Sequence, residues 1–147
     1  MKKVLLLEDE ATATGIIGII EGKGHKVKLA KDLWEAHDFL TEDTYDALML
    51  DISVPGAEIE MDDSSITTYN EKDMNGYLYW RDMRNTKLSI YKGRIAFYSA
   101  FNPAVSKRAE KDGVSLEGII CFDKVSRSLP DDVLNWLYVL PKRGLNL

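Results

Sequence analysis

The chain has 147 residues, of which 45% are apolar and 29% charged, and its formal net charge is −5. These values favour one folded domain over residues 1–147 rather than a disordered chain, and the acidic balance argues against nucleic-acid binding, which depends on Lys and Arg at phosphates. No apolar run approaches the roughly 20 residues of a membrane span, and no export signal is recognised. The single cysteine, Cys121, suits a reducing compartment. We therefore expect a cytoplasmic protein without membrane insertion.

Short apolar runs alternate with longer amphipathic stretches along the chain. Five runs predict strands, at residues 2–7, 25–30, 45–50, 94–98 and 118–122; the alternating pattern of residues 25–30 indicates a strand near an edge of the sheet. Helices are predicted over 11–22, 33–40, 77–83 and 129–140, and from Asn102-Pro103, where Asn is a favourable cap and Pro a favourable first residue. This alternation predicts an α/β fold, a doubly wound five-stranded parallel sheet with helices on both faces.

An acidic insertion at residues 57–73 follows the third predicted strand. It holds six acids and one base, which amounts to −5, the whole net charge of the chain. Connections of this length are unusual in compact domains, and the segment shows no helical or strand periodicity. We therefore expect a flexible, solvated loop, which serves either as a partner-specific surface or as a lid that repels anions near the site.

Charged and hydroxyl side chains follow the predicted strands where each strand ends. Glu8 and Asp9 follow the first strand, Asp51 the third, Ser99 the fourth and Lys124 the fifth. Ligands in parallel α/β sheets lie beyond these carboxyl ends. Clustered carboxylates require a proton or a cation between them, and an all-oxygen donor set without His or Cys favours Mg²⁺. With a lysine and a hydroxyl nearby, the cluster could hold a phosphoryl group.

Five motifs at these strand ends resemble those of the receiver domain of two-component response regulators, over residues 3–140. They are Glu8-Asp9, the run YDALMLD at 45–51 followed by Val54-Pro55-Gly56, Met74-Asn75-Gly76, Ser99-Ala100 and Asp123-Lys124. The resemblance implies a flavodoxin-like fold with strand order 2-1-3-4-5 and an insertion after strand three. Such a protein belongs to a phosphorelay and is a signalling phosphoprotein, not an enzyme, although it assists its own phosphorylation and dephosphorylation.

The resemblance also implies a role for each matching residue. Asp51 is the implied phosphoacceptor. Asp9, Asp51 and the backbone carbonyl of Ser53 would bind Mg²⁺ directly, and Glu8 would act through water. The implied phosphate-binding and switch residues are Ser99, Ala100 and Lys124.

The chain departs from the family pattern at several positions besides the insertion. The usual Lys-Pro is Lys124-Val125, and the aromatic switch position is Cys121, which we interpret as a core thiol rather than a redox sensor. Neither the family's cis peptide nor its aromatic toggle can therefore be carried over. Ser53 and Phe101 flank the path of the attacking water in the family, which leaves the lifetime of the acyl phosphate open.

Two functions follow from this pattern. The first is a stand-alone response regulator that receives a phosphoryl group from a histidine kinase or a histidine phosphotransfer protein. Only residues 141–147 follow the last predicted helix, so we expect its output to be a protein contact through the fourth helix, fifth strand and fifth helix. The alternative is a receiver-fold module that binds proteins without being phosphorylated.

Overall fold

The computed structural model describes residues 1–9, 13–99 and 103–141, and this part of the chain forms seven strands and five α-helices. In chain order they are β1 (Lys3–Leu7), α1 (Ala13–Gly22), β2 (Lys26–Ala30), α2 (Leu33–Glu42), β3 (Ala47–Leu50), β4 (Ala57–Glu60), β5 (Ile66–Tyr69), α3 (Asn75–Met83), β6 (Ile95–Ser99), α4 (Pro103–Asp112), β7 (Ile120–Asp123) and α5 (Leu129–Val139). A single 3₁₀ turn at Ser89–Tyr91 precedes β6.

Five of the strands form one sheet in the order β2-β1-β3-β6-β7, with every neighbouring pair parallel. The strands β6 and β7 are the fourth and fifth strands that the sequence predicts, so the predicted order 2-1-3-4-5 is confirmed. The central pair keeps Leu7 of β1 opposite Leu50 of β3. This register brings the residues that follow β1 and β3 to the same edge of the sheet.

Side chains alternate between the two faces of the sheet and build two separate cores. Leu5 and Leu7 of β1 lie in the core that α2, α3 and α4 cover. Val4 and Leu6 lie in the core that α1 and α5 cover. All four side chains are buried, as expected for a parallel sheet with helices on both faces.

The expectation of a flexible loop at residues 57–73 is wrong, because β4 and β5 pair as an antiparallel hairpin. The turn is closed by Met61 N–H donating to the Ser65 carbonyl at 2.8 Å, and Ser64 takes a positive φ of 68°. Ile59 and Tyr69 are buried in the core beneath α2 and α3. The hairpin is ordered because each strand contributes one side chain to that core.

Polar contacts hold the hairpin to three helices. The Trp34 indole of α2 donates to the Glu58 carbonyl at 2.5 Å, and the Tyr69 hydroxyl donates to Asp82 of α3 at 2.9 Å. Beyond β5, Glu71 accepts hydrogen bonds from both terminal nitrogens of the Arg108 side chain of α4, at 2.7 and 3.2 Å. The insertion is therefore anchored to α2, α3 and α4 together.

The interpretation of Cys121 as a core thiol is also wrong, since its side chain is exposed. It lies on the edge strand β7, opposite Phe97 of β6, while the next residue, Phe122, packs edge to face on Trp136 of α5. A strand at the edge of a sheet has a neighbour on one side only, which leaves this position uncovered. No helix within the described residues is long and apolar enough to cross a bilayer.

Candidate functional site

The carboxyl edge of the central strands collects three acidic side chains. Carboxylate oxygens of Glu8, Asp9 and Asp51 all lie within 4.8 Å of one another. Glu8 and Asp51 are each only 1% exposed, and Asp9 is exposed. The adjacent strand ends of β1 and β3 therefore produce the predicted acidic cluster, with two members inside the protein and one facing solvent.

Lys124 joins the two buried carboxylates. Its Nζ lies 2.5 Å from Glu8 Oε2 and 2.8 Å from Asp51 Oδ2. The backbone N–H of Lys124 donates to the Ser99 carbonyl at 2.9 Å, which holds the loop after β7 beside the end of β6. The ammonium also lies 5.0 Å from the centre of the Tyr98 ring, within cation–π range. Such pairing is what two buried carboxylates need to remain charged.

Burial and charge act in opposite directions on the Asp51 carboxyl. Burial, and to a smaller extent the negative charge of Glu8, raise the pKa of this carboxyl, the Lys124 hydrogen bond lowers it, and the net result is a pKa raised to about 7. Burial by itself lowers the pKa of Lys124, but the hydrogen bonds to Asp51 and Glu8 more than compensate, so the pKa of Lys124 is raised. The ammonium therefore stays charged beside carboxylates that gain from any further cation.

The loop after β3 fixes the orientation of Asp51. The Asp51 N–H donates to the Leu7 carbonyl at 2.9 Å, and the Ser53 N–H donates to Asp51 Oδ1 at 3.0 Å. Gly76, the second residue of α3, packs against the Asp51 carbonyl so closely that a Cβ on Gly76 would lie 1.9 Å from that oxygen. Only glycine can occupy this position without displacing the backbone.

Asn75 is a buried residue of the site that the sequence reasoning named only as part of a helix start. Its side chain is fully buried. The amide Nδ2 donates to the Val54 carbonyl at 2.9 Å, and Oδ1 accepts from the Glu71 N–H at 2.8 Å. A polar residue inside an apolar helix opening was the available signal, but its two partners lie in loops whose positions the sequence did not reveal.

The remaining predicted residues fall at the same edge of the sheet or outside the described part of the chain. Ser99 is the last residue of β6 and is buried, opposite Asp123 of β7. Ser53 is exposed beside Asp51. Ala100 and Phe101 lie outside the described residues, as does Asn102, the predicted cap; α4 itself begins at the predicted Pro103.

The donor set of the acidic cluster matches the chemistry of Mg²⁺. All three side chains offer carboxylate oxygens, and neither His nor Cys belongs to the cluster. Mg²⁺ binds through one or two carboxylates and retains waters, which a cluster with one solvent-facing member permits. The residues therefore fit a magnesium ion.

Comparison with known proteins finds similar structures, but no matching protein family and no related curated sequence. A two-component response regulator from Clostridium difficile aligns with a TM-score of 0.64 and 18% identity, covering 97% of this chain and 100% of that one. The chemotaxis protein CheY4 of Vibrio cholerae aligns at 0.63 with 18% identity, covering 96% and 99%.

A third similar structure is that of the response regulator TrrA from Thermotoga maritima, solved in complex with Mg²⁺ and BeF. It aligns with a TM-score of 0.58 and 18% identity, covering 92% of this chain and 99% of that one. Identities at this level establish the fold. The resemblance inferred from the sequence is thereby confirmed at the level of the fold: this chain has the receiver-domain fold of response regulators.

Proposed function

We propose that this chain is a phosphorelay receiver in which Asp51 accepts a phosphoryl group from a phosphohistidine on a histidine kinase or a histidine phosphotransfer protein. The observation that carries the proposal is the arrangement at the carboxyl edge of the sheet. A nearly inaccessible aspartate, a second buried acid and a lysine that contacts both meet there. This combination has the charges that a phosphoryl group and a divalent cation require.

Glu8, Asp9 and Asp51, with the backbone carbonyl of Ser53, are the residues we propose for Mg²⁺, with Glu8 acting through water. When bound, the ion would supply positive charge that offsets the repulsion between the Asp51 carboxylate and an incoming phosphoryl group. The Thermotoga maritima neighbour, which was solved with Mg²⁺ and BeF, supports this assignment.

The proposed reaction is an in-line displacement at phosphorus. An Asp51 carboxylate oxygen forms a bond to phosphorus while the bond from phosphorus to the imidazole nitrogen breaks, and the imidazole keeps the electron pair and takes a proton. Lys124 begins on Asp51 Oδ2 and would then pair with the phosphoryl oxygens. Ser99 and the backbone of Ala100 would donate hydrogen bonds to the same oxygens.

Output would be a protein contact on the face formed by α4, β7 and α5, in the cytoplasm. Movement of Ser99 and Lys124 towards the phosphoryl group would act on the ends of β6 and β7, and β7 belongs to this face. The face carries exposed apolar side chains that a partner could cover, namely Ile120, Tyr138 and Val139. Because Cys121 replaces the family's aromatic switch residue, any signal on this face must be carried without an aromatic side chain at that position.

One observation favours the alternative, a receiver-fold binding module that is not phosphorylated. Lys124 already pairs with both Glu8 and Asp51, so the triad could serve stability alone. The acidic hairpin, which is anchored to three helices, would then be a surface for a protein partner.

The test is the intact mass of the protein after incubation with acetyl phosphate, with Mg²⁺ and with a chelator. We expect one added phosphoryl group that requires Mg²⁺ and is lost in Asp51→Asn. The matched control is Asp46→Asn, because Asp46 is another buried carboxylate, at the opposite end of β3, where it accepts from the Lys3 N–H at 2.8 Å. Labelling that survives in Asp51→Asn would contradict the proposal, and absence of labelling even with a phosphohistidine donor would favour the alternative.

A further inference from the structure

The start of α3 holds the loop after β3 by two hydrogen bonds that lie on either side of Ser53. The Gly76 N–H donates to the Ile52 carbonyl at 2.9 Å, and the Asn75 amide donates to the Val54 carbonyl at 2.9 Å. The carbonyl of Ser53 belongs to the peptide unit between these two. Its direction is therefore set by neighbours on both sides.

The peptide unit that precedes Ser53 is held at both of its polar groups. Its carbonyl, that of Ile52, accepts from Gly76, and its N–H, that of Ser53, donates to Asp51 Oδ1 at 3.0 Å. The next peptide unit but one contains the Val54 carbonyl, which accepts its hydrogen bond from the Asn75 side chain. Loss of the Asn75 amide would thus release one side of the Ser53 carbonyl while leaving the other side in place.

The same amide connects the loop to the hairpin. Asn75 Oδ1 accepts from the Glu71 N–H at 2.8 Å, just beyond β5. On the other side of the loop, the Ser53 hydroxyl lies 3.4 Å from the Lys72 carbonyl. The Asn75 amide is fully buried and pairs with one backbone group from each segment. Because leaving a buried polar group unpaired is costly, the amide fixes the relative positions of the two segments.

We infer that Asn75 is a positioning residue for the phosphoacceptor loop, which it clamps between α3 and the end of the hairpin so that the Ser53 carbonyl is directed at the cation site. The inference rests on the proposed Mg²⁺ site. It assigns Asn75 no contact with the cation or the phosphoryl group. It also makes residues 71–76 part of the unit that responds when the site is filled.

The first experiment is the affinity for Mg²⁺ of Asn75→Ala, measured by calorimetry without any phosphodonor. Replacing a residue that orients metal ligands typically weakens metal affinity by about 10- to 100-fold. We expect Asn75→Ala to weaken Mg²⁺ affinity by at least about tenfold. The matched control is Tyr77→Phe in the same helix, which removes the hydrogen bond from the Tyr77 hydroxyl to Asp112 at 2.9 Å. We expect this control to lose stability but to bind Mg²⁺ as the unaltered protein does.

A second measurement uses the unaltered protein, and so does not depend on the folding of a variant. Hydrogen exchange at the Gly76 and Glu71 amides is followed by NMR with and without Mg²⁺. If these amides open only when the site is distorted, Mg²⁺ at ten times its dissociation constant slows their exchange about tenfold. Amides of α5 that exchange by local opening are expected to keep their rates.

Three results would overturn the inference: equal Mg²⁺ affinity in Asn75→Ala and the unaltered protein, unchanged exchange at Gly76 and Glu71, or no Mg²⁺ binding at all. Failure of the proposed function is recognised separately. A protein that binds Mg²⁺ with the expected dependence on Asn75, but is not labelled at Asp51, would retain the clamp and lose the phosphoacceptor role.

Discussion

Replacing Gly76 by Ala tests how closely α3 approaches Asp51, the proposed phosphoacceptor. The new Cβ would lie 1.9 Å from the Asp51 carbonyl oxygen and 2.8 Å from the Asp51 carbonyl carbon. Both atoms are backbone, at the end of a strand whose side chains are completely buried. The clash can be relieved only by moving α3 away from β3, which stretches the hydrogen bond from the Gly76 N–H to the Ile52 carbonyl.

The size of the effect follows from opposing contributions. Overpacking of a close-packed interior costs about 1–3 kcal/mol, and weakening the hydrogen bond to Ile52 adds about 1 kcal/mol. Replacing glycine by alanine within a helix returns at most about 1 kcal/mol. We therefore expect Gly76→Ala to lower the free energy of unfolding by about 2 kcal/mol and to weaken Mg²⁺ binding, because Asp51 is displaced.

The assay is urea unfolding followed by circular dichroism, with Gly18→Ala as the control. Gly18 is exposed in α1, and a Cβ there meets nothing within 4 Å. The same substitution should therefore stabilise the protein at Gly18 by up to about 1 kcal/mol. If Gly76→Ala also stabilises the protein, the close approach of α3 to Asp51 does not exist.

Three further predictions concern the hairpin and the charged groups. Ile59 is 2% exposed, so Ile59→Ala should leave a cavity and lower the free energy of unfolding by about 3 kcal/mol. Ile66 in the same hairpin is 65% exposed, so Ile66→Ala should change the free energy of unfolding by less than about 0.5 kcal/mol. Equal effects of the two substitutions in urea unfolding would contradict the packing of the hairpin. Lys124→Met should lower the free energy of unfolding by about 3 kcal/mol, because it removes the cation shared by two buried carboxylates. In thermal unfolding, Mg²⁺ should restore part of this loss. A melting temperature equal to that of the unaltered protein would refute the stabilising role of Lys124. The Arg108 hydrogen bonds lower the pKa of Glu71 below 4.5. The pair therefore stabilises the folded protein above that pH and ceases to do so as the pH falls through the lowered pKa. Glu71→Gln should cost about 0.5 kcal/mol at pH 7 and progressively less in acid, and a difference that does not shrink as the pH is lowered would argue against the ion pair.

The sheet and the acidic cluster could be predicted because both depend on local patterns. Short runs of buried residues predict strands, and parallel strands end at one edge, so Glu8 and Asp51 had to meet once β1 and β3 were neighbours. Lys124 was placed by the same rule at the end of β7. The predicted strand order and the proximity of the carboxylates are confirmed by the structure.

The hairpin could not be predicted because its order depends on tertiary contacts. Its strands are only four residues long, and Ile59 stands between two glutamates, a pattern that also occurs in solvated loops. What orders it is the burial of Ile59 and Tyr69 in a core built by α2 and α3. The interpretation of Cys121 as a core thiol was wrong because an apolar run does not reveal that its strand lies at the edge of the sheet.

The clamp at Asn75 was missed because its partners are backbone groups. The sequence identifies an asparagine before a glycine at a helix start, but it does not show that the carbonyl of Val54 and the N–H of Glu71 lie within reach. Those two groups are brought together by the hairpin, whose own structure was not predicted. Contacts between a side chain and distant loops of this kind require the fold to be known first.

The central claim is that a phosphoryl group is carried on Asp51, and the most direct measurement is to locate it. After treatment with acetyl phosphate and Mg²⁺, the acyl phosphate can be reduced with borohydride, which converts a phosphorylated aspartate to homoserine, and the peptides are then mapped by mass spectrometry. We predict homoserine at position 51 and at no other acidic residue. Homoserine at another acidic position instead, or unmodified Asp51 in a preparation whose intact mass shows the phosphoryl group, would contradict the account.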